Sequence, residues 1–359
     1  MVFDIPSPKD PLDPLNPIKS YYGKTLRSSG DLRTTACSAA DAPPPHVRRA
    51  LARVHDKVKA RFYGCGSPFP PALDGLTVLD LGCGTGRDCY VLSQLVGPQG
   101  RVIGIDVTDE QLITARDYLS WHALEFGHAN VEFRHGQMED LAALEIADES
   151  VDLVVSNCVL NLSMDKPRVF KEVFRVLKTG GELYFSDVFS NCRIPAALLE
   201  DPVLHGECLA GAMYMEDFRR LMLSVGCGDV RIVSNTSISI DDPDVEEKIG
   251  FATFTSCTVR AFKIPFEDRC EDYGQTALYR GGMPEQRHTF NLDNCHRFQR
   301  NKPVPVCGNT ADMLSITRYS PYFLLTGDKT THYGLFPCVE TKQQPTTVPV
   351  AGCCVKPVP

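Results

Sequence analysis

The stretch "VLDLGCGTGRD", residues 78–88, decides how the rest of the chain is read. Its first half is an apolar run of strand character, and a helical pattern opens just after it. At the junction stand Gly82, Gly84 and Gly86, residues that let the backbone turn tightly and let a ligand come close to the main chain. The loop is G-x-G-x-G. It lacks the lysine of a phosphate-cradling loop, and Asp80 stands where a carboxylate repels a pyrophosphate. A ligand with an ammonium group suits that carboxylate better. The next apolar run ends in Asp106, 20 residues after Gly86, where an acid in this kind of fold accepts ribose hydroxyls.

Outward from this loop, residues 76 to 264 alternate short apolar runs with helical patterns, the signature of a doubly wound parallel α/β sheet. The runs are "LTVLDL", "RVIGID", "VEFRHG", "VDLVVSN", "GELYFSDVF", "VRIVSNTSISI" and "FATFTSCTVRAFKI". The last two follow each other without a convincing helix between them, which predicts an antiparallel closing strand. "VTDEQLITARDYLSWHAL" reads as one helix with capping-box spacing at Thr108 and Gln111. Upstream, "PPPHVRRALARVHDKVKARFYGCG" reads as one helix from proline to glycine, with Val47, Leu51, Val54, Val58 and Phe62 at helical spacing.

Three units follow. Residues 1–73 form an N-terminal arm and helix, with order expected from near Tyr21. Residues 74–265 form the sheet domain, whose stretch 190–215 is an insertion placed for substrate contacts. Residues 266–359 form a small C-terminal domain in which "ALYRGG", "RHTFNL" and "MLSITRY" read as strands, ending in a proline-rich tail expected to be disordered.

Bulk properties exclude several classes. A net charge of −8 over 359 residues gives no basic footprint for nucleic acid or an anionic membrane. No run is long and apolar enough to span a bilayer, and "MVFDIPSPKDPLDPLNP" does not resemble a signal peptide. Fifteen cysteines without a secretory signal imply a reducing, cytoplasmic setting. Their odd number and the lack of C-x-x-C spacing give no support to a disulfide framework or a zinc ribbon. A monomer is expected.

A nucleoside that also carries an amino-acid ammonium is S-adenosylmethionine, and residues 74–265 resemble the class I S-adenosylmethionine-dependent methyltransferases. Asp106, the pair Met138-Glu139 after the third strand, and "VFRVLKTGGELYFSD" carry the resemblance with the glycine loop. In that family the end of the fourth strand holds or activates the group that receives the methyl. Here it reads Ser156-Asn157-Cys158, a segment without His, Asp or Glu to act as a base. A thiolate is a poor base and a good soft ligand.

Cys37 in "DLRTTACSAA", Cys65 in "RFYGCGSP", Cys158 in "SNCVLNL" and Cys208 in "GECLAGA" narrow the resemblance to the arsenite S-adenosylmethionine methyltransferases. That resemblance implies Cys158 and Cys208 as primary ligands of trivalent arsenic, with Cys65 as a third. It also implies that Cys37 partners Cys65 in a thiol–disulfide relay reset by thioredoxin or glutathione. Arsenite and methylated trivalent arsenicals are the implied substrates. Tyr63 and Asn157 are expected to face the cofactor, Glu207 can help remove hydroxide from arsenite, and His205 is a neighbour of Cys208 with no metal-ligand spacing. Cys37 lies on an expected loop, and its role rests less on its context than those of the other three; a bystander is its alternative. Cys83, Cys89, Cys227, Cys257, Cys270, Cys295 and Cys307 read as small packing residues, and Cys353-Cys354 as part of an inert tail. Two other functions stay open: a class I methyltransferase with another small nucleophile, and a non-catalytic thiol protein that sequesters soft metals.

Overall fold

The computed structural model describes residues 15–25 and 43–337. Helix α1 (Asn16–Ser20) runs into a π-helical turn at Tyr21–Thr25, so helical structure is present ahead of Tyr21. The helix expected up to Gly64 is two pieces, α2 (Pro45–Ala52) and α3 (Asp56–Lys59). The break has a local cause: the His55 ring accepts the Lys57 N–H and caps a new helix start. Val47, Val54 and Val58 are buried as their spacing predicts, whereas Leu51 and Phe62 are half-buried.

The sheet domain then runs β1 (Thr77–Leu81), α4 (Arg87–Val96), β2 (Arg101–Asp106), α5 (Asp109–Asp117), α6 (Leu119–Phe126) and β3 (Val131–His135). It continues through β4 (Val151–Asn157), α7 (Lys166–Val176), β5 (Leu177–Ser190), α8 (Pro202–Gly206), β6 (Met213–Tyr214), α9 (Met215–Ser224), β7 (Val230–Ile238), α10 (Pro243–Ile249) and β8 (Phe254–Phe262). Side by side the strands lie β3-β2-β1-β4-β5-β8-β7, with β6 pairing β5. β1 to β5 are mutually parallel. β8 is antiparallel to β5 and to β7, one position in from the edge.

Two helical expectations change. The run 107–124 is broken at Tyr118 into α5 and α6. Thr108 occupies the N-cap of α5 but makes no side-chain cap bond; its N–H is taken by the Asp106 carboxylate at 2.8 Å. A helix does separate the last two strands: α10 spans seven residues, too few to show a period, and is started by the Asp242 carboxylate.

Neighbouring residues of the central strands serve opposite cores. Leu79, Ile103 and Val154 pack with Phe170, Phe218 and Met222 under α7 and α9. Val78, Val102 and Val155 pack with Tyr90, Leu92 and Val47 under α4 and α2. Burial on both faces is why these strands read as unbroken apolar runs.

The C-terminal part comprises β9 (Thr276–Tyr279), β10 (Thr289–Asn291), β11 (Arg297–Gln299), β12 (Pro303–Pro305), α11 (Gly308–Ile316) and β13 (Phe323–Thr326). "ALYRGG" and "RHTFNL" do contain strands. "MLSITRY" does not: Met313 and Leu314 lie on α11 and are buried with Phe262, Phe290 and Tyr319. A reading that begins at Met313 misses the first turn, Gly308 to Asp312, which sets the helix. Two buried ionic networks join this part to the sheet. Arg260 of β8 meets Glu182 of β5 at 2.5 Å and the Tyr319 hydroxyl at 3.1 Å, and Arg318 also pairs with Glu182. Arg231 of β7 meets Asp229 at 2.5 Å and Asp293 at 3.1 Å.

Candidate active site

The strand order reverses between β1 and β4, where ligands of open α/β sheets bind beyond the strands' carboxyl ends. A cleft with about 990 Å³ of free space lies there. Tyr63, Asp80, Gly82, Gly84, Asp106, Met138, Glu139, Asn157 and Cys158 all line it. The three glycines have left-handed backbones, with φ of +69°, +54° and +82°, but their surroundings differ. A Cβ on Gly82 would strike Val159 at 2.3 Å and one on Gly86 would strike the Phe133 ring at 2.6 Å, so both are packing glycines. A Cβ on Gly84 would meet only Gln111 Oε1 at 4.0 Å, so the space over Gly84 belongs to the cleft.

The electrostatics of the loop favour a cation. Asp80, Asp88 and Asp106 are all at least mostly buried around it. Burial, then the nearby Asp88 carboxylate, pushes Asp80 well above the ordinary carboxyl range, although the Cys89 thiol donates to it at 3.2 Å. Burial likewise raises Asp106, against hydrogen bonds at 2.8 Å from the N–H groups of Thr108 and Gly84. Asp88 already pairs with the Arg87 guanidinium at 2.7 Å, so it is Asp80 and Asp106 that a positive group in the cleft would favour as carboxylates. Gln111 Oε1 is buried with no hydrogen-bond partner. This donor and acceptor set fits S-adenosylmethionine, whose sulfonium and ammonium are positive and whose hydroxyls donate. Tyr22 and Tyr63 stand edge to face at 5.4 Å in the cleft wall.

Just past β4 the sulfur groups begin. Cys158 has φ +61° and Cys208 has φ +65°, left-handed values that residues other than glycine rarely adopt and that cluster at functional sites. The Cys158 N–H donates to the Ser186 carbonyl at 2.7 Å, and the Cys208 thiol donates to the Cys158 carbonyl at 3.1 Å. Cys65 reaches the same place on a clamped loop. The Asn157 side chain accepts from the Gly66 N–H at 3.2 Å and donates to the Gly66 carbonyl at 3.1 Å, while Ser256 Oγ donates to the Cys65 carbonyl at 2.7 Å. Asn157 is thus a wall of the cleft and the anchor of the Cys65 loop.

The sulfurs of Cys65 and Cys158 and a carboxylate oxygen of Asp187 lie within 4.8 Å of one another, all buried. This corrects the expectation that no base stands beside Cys158. No acid stands in the segment after β4, but β5 supplies one: Asn157 pairs with Ser186, which sets Asp187 beside Cys158. Asp187 also accepts from Asn161 Nδ2 at 2.7 Å. Glu207 is fully buried and receives the Tyr21 hydroxyl at 3.2 Å. His205 has its Nε2 buried without a hydrogen-bond partner, and burial lowers its pKa. Lys166 donates to the carbonyls of Ser163 at 2.9 Å and Asn161 at 3.3 Å; burial lowers its pKa and the nearby Asp187 opposes this.

Cys83 and Cys89 pack against Gly104, where a Cβ would meet their sulfurs at 2.9 and 2.7 Å. Cys37, Cys353 and Cys354 lie outside the described residues. Asp187, Lys166, Asp88 and Tyr22 are not among the site residues expected from the sequence, and Gln111 is expected there only as a capping residue. Asp187 lies in "GELYFSDVF", and it is the pairing of β4 with β5, which the sequence does not show, that brings it to Cys158.

Comparison with known proteins matches two families along the chain. Residues 72–231 match a methyltransferase domain family, and residues 273–355 match the arsenite methyltransferase C-terminal domain family. An arsenite methyltransferase of Aquipseudomonas alcaligenes is 52% identical over 89% of this chain and 92% of its own length. The human arsenite methyltransferase is 41% identical over 86% of this chain and 82% of its own length. The crystal structure of an arsenic(III) S-adenosylmethionine methyltransferase from Chlamydomonas reinhardtii superposes with a TM-score of 0.79 at 48% identity, covering 82% of this chain and all of that one. With its class I methyltransferase sheet and this degree of identity over most of its length, the chain belongs to the arsenite methyltransferase family of S-adenosylmethionine-dependent enzymes.

Proposed function

We propose that this enzyme methylates trivalent arsenic while cysteine thiolates hold it at the carboxyl end of β4. The observation that carries this is the position of Cys158, which belongs both to the cofactor cleft and to the buried group with Cys65 and Asp187. The glycine loop with Asp80, Asp106, Met138 and Glu139 would hold S-adenosylmethionine, which supplies an electrophilic methyl on a sulfonium. Cys158, Cys208 and Cys65 displace hydroxide from arsenite by forming arsenic–sulfur bonds, and each thiol proton leaves with a hydroxide as water. Asp187 stands where it can pass such a proton from thiol to hydroxide. The soft ligands leave arsenic its lone pair, so the attack needs no general base; it needs alignment at about 3 to 3.5 Å. The Asn157 clamp and the left-handed turns at Cys158 and Cys208 fix the sulfurs for that alignment.

Donating the lone pair to a methyl raises the oxidation state of arsenic by two. Two electrons return it to the trivalent state when a thiol pair closes to a disulfide. Cys65 with Cys37 is the pair proposed, with thioredoxin or glutathione restoring the thiols. The role is detoxification of arsenic.

The decisive measurement is time-resolved speciation of products from arsenite, S-adenosylmethionine and a thiol reductant, with Cys158→Ser alongside. The variant is expected to bind cofactor normally and to lose methylation of arsenite and of monomethylated arsenic beyond the roughly 10–100-fold cost of losing an outer partner of a site. Unimpaired turnover in the variant sinks the assignment. Asp187 favours one second reading, a class I methyltransferase whose acceptor is activated by that carboxylate. Turnover that survives Cys158→Ser but not Asp187→Asn would mark it.

A further inference from the structure

A second thiol pair lies in the C-terminal part, away from the cleft. Cys307 is the N-cap residue of α11, and Cys270 lies on the segment between β8 and β9. The residues that follow them are bonded backbone to backbone, the Gly308 N–H donating to the Glu271 carbonyl at 2.9 Å. Both residues are buried, set side by side by that backbone pairing. The Cys307 sulfur lies 3.2 Å from the Thr310 hydroxyl, which in turn receives a hydrogen bond from the buried Arg231 guanidinium at 3.2 Å.

The surroundings divide the pair unequally. The hydrogen bond from Cys270, with the Arg231 charge and Thr310, outweighs burial and holds the Cys307 thiol well below the ordinary cysteine range. The start of a helix favours an anion at the same point. The bond to Cys307, and then burial, pushes Cys270 up. A sulfur at a helix start, with the Thr310 hydroxyl and the Arg231 charge beyond it, next to a second thiol is the arrangement that thiol–disulfide exchange uses, the first to attack and the second to resolve.

We propose that Cys270 and Cys307 form a second dithiol/disulfide centre, independent of the thiols at the cleft, whose reactant is a low-molecular-weight disulfide. The Cys307 thiolate attacks one sulfur of that disulfide; a sulfur–sulfur bond forms to Cys307 and the other half leaves as thiolate. Cys270 then gives up its proton and attacks the Cys307 sulfur, expelling the second half. The protein loses two electrons and the small disulfide becomes two thiols. The new bond ties the start of α11 to the segment in which Glu271 bridges to Leu335.

The test is equilibration of the full chain in glutathione buffers from fully reduced to fully oxidised, followed by acid quench, alkylation and peptide mass spectrometry. Equilibration matters because burial slows exchange without changing its end point. A bridged Cys270–Cys307 peptide pair is expected to rise with the disulfide fraction. In Cys270→Ala, Cys307 is expected to stop as its mixed disulfide with glutathione. In Cys307→Ser the bridged pair disappears while arsenite methylation under reducing conditions stays unchanged. The proposal is overturned if the pair remains reduced in oxidised buffer while circular dichroism shows a folded chain. Bridging of Cys270 to any other cysteine, or Cys270→Ala leaving Cys307 unmodified, overturns it too. The bridged peptide and the mixed disulfide are read without methyl transfer, so failure here and failure of the arsenic assignment are separable.

Discussion

At the scale of single residues, the backbone at Cys158 and Cys208 says as much as the side chains. A left-handed conformation costs an L-residue roughly 1–2 kcal/mol, and glycine escapes that cost. Both positions therefore oppose the local preference of the chain, and rigid turns result that fix the direction of each sulfur. The consequence is testable by comparing Cys158→Gly with Cys158→Ala in urea unfolding. Ordinarily alanine is the more stabilising residue. Here the glycine variant is expected to be more stable by about 1 kcal/mol, with methylation lost in both. Among the sequence-derived candidates, Asp80, Asp106 and Cys158 were legible because their place relative to glycines and strand ends is set along the chain. Asp187 was not, because its neighbourhood depends on the register of β4 against β5, which a single sequence does not show.

At the scale of elements, the glycine loop separates folding from binding. Gly86→Ala is expected to drive a methyl into the Phe133 ring, with a loss of 1–3 kcal/mol typical of overpacking in addition to backbone strain. Gly84→Ala meets open space, so its cost to the fold is the strain alone, about 1–2 kcal/mol. Its larger effect falls on cofactor affinity, since the new methyl stands in the cleft. Isothermal titration with S-adenosylhomocysteine beside thermal melts distinguishes the two: a folded, poorly binding Gly84→Ala and a less stable Gly86→Ala. The central strands were readable from sequence because burial on both faces makes them continuously apolar. Helix ends were not. The caps at His55 and Asp242 and the break at Tyr118 are local hydrogen-bonding events that interrupt or start a helix without disturbing the apolar spacing around them.

At the scale of the whole molecule, buried ions fasten the C-terminal part to the sheet. Glu182 sits five residues before Asp187 on β5, so the strand that carries a carboxylate to the thiols is braced at its other end by Arg260 and Arg318. The Arg231 network gives a pH signature. Burial alone would raise Asp293, but the hydrogen bond with His296 and the Arg231 guanidinium outweigh it and hold the carboxyl well below its usual range. Its folded-state pKa is thus depressed, so its contribution is full above the unfolded value near 4 and is lost as pH falls through the folded value. Urea unfolding between pH 7 and pH 3 is expected to show that decline. Asp293→Asn should lower stability at pH 7 by about 3 kcal/mol, the scale for breaking a buried pair, and should flatten the decline below pH ~4. A decline of the same steepness in wild type and variant would assign the acid sensitivity to other groups.

One feature near the N-terminus links two processes. Tyr22 forms part of the cofactor cleft, and its hydroxyl donates to the Gly206 carbonyl at 2.6 Å, two residues before Cys208; the ring of Tyr21 packs where a Cβ on Gly206 would be, 2.6 Å away. The segment that walls the cofactor cleft is therefore also tied to the loop that carries Cys208. A displacement of this one segment therefore acts on the cleft wall and on the Cys208 loop together.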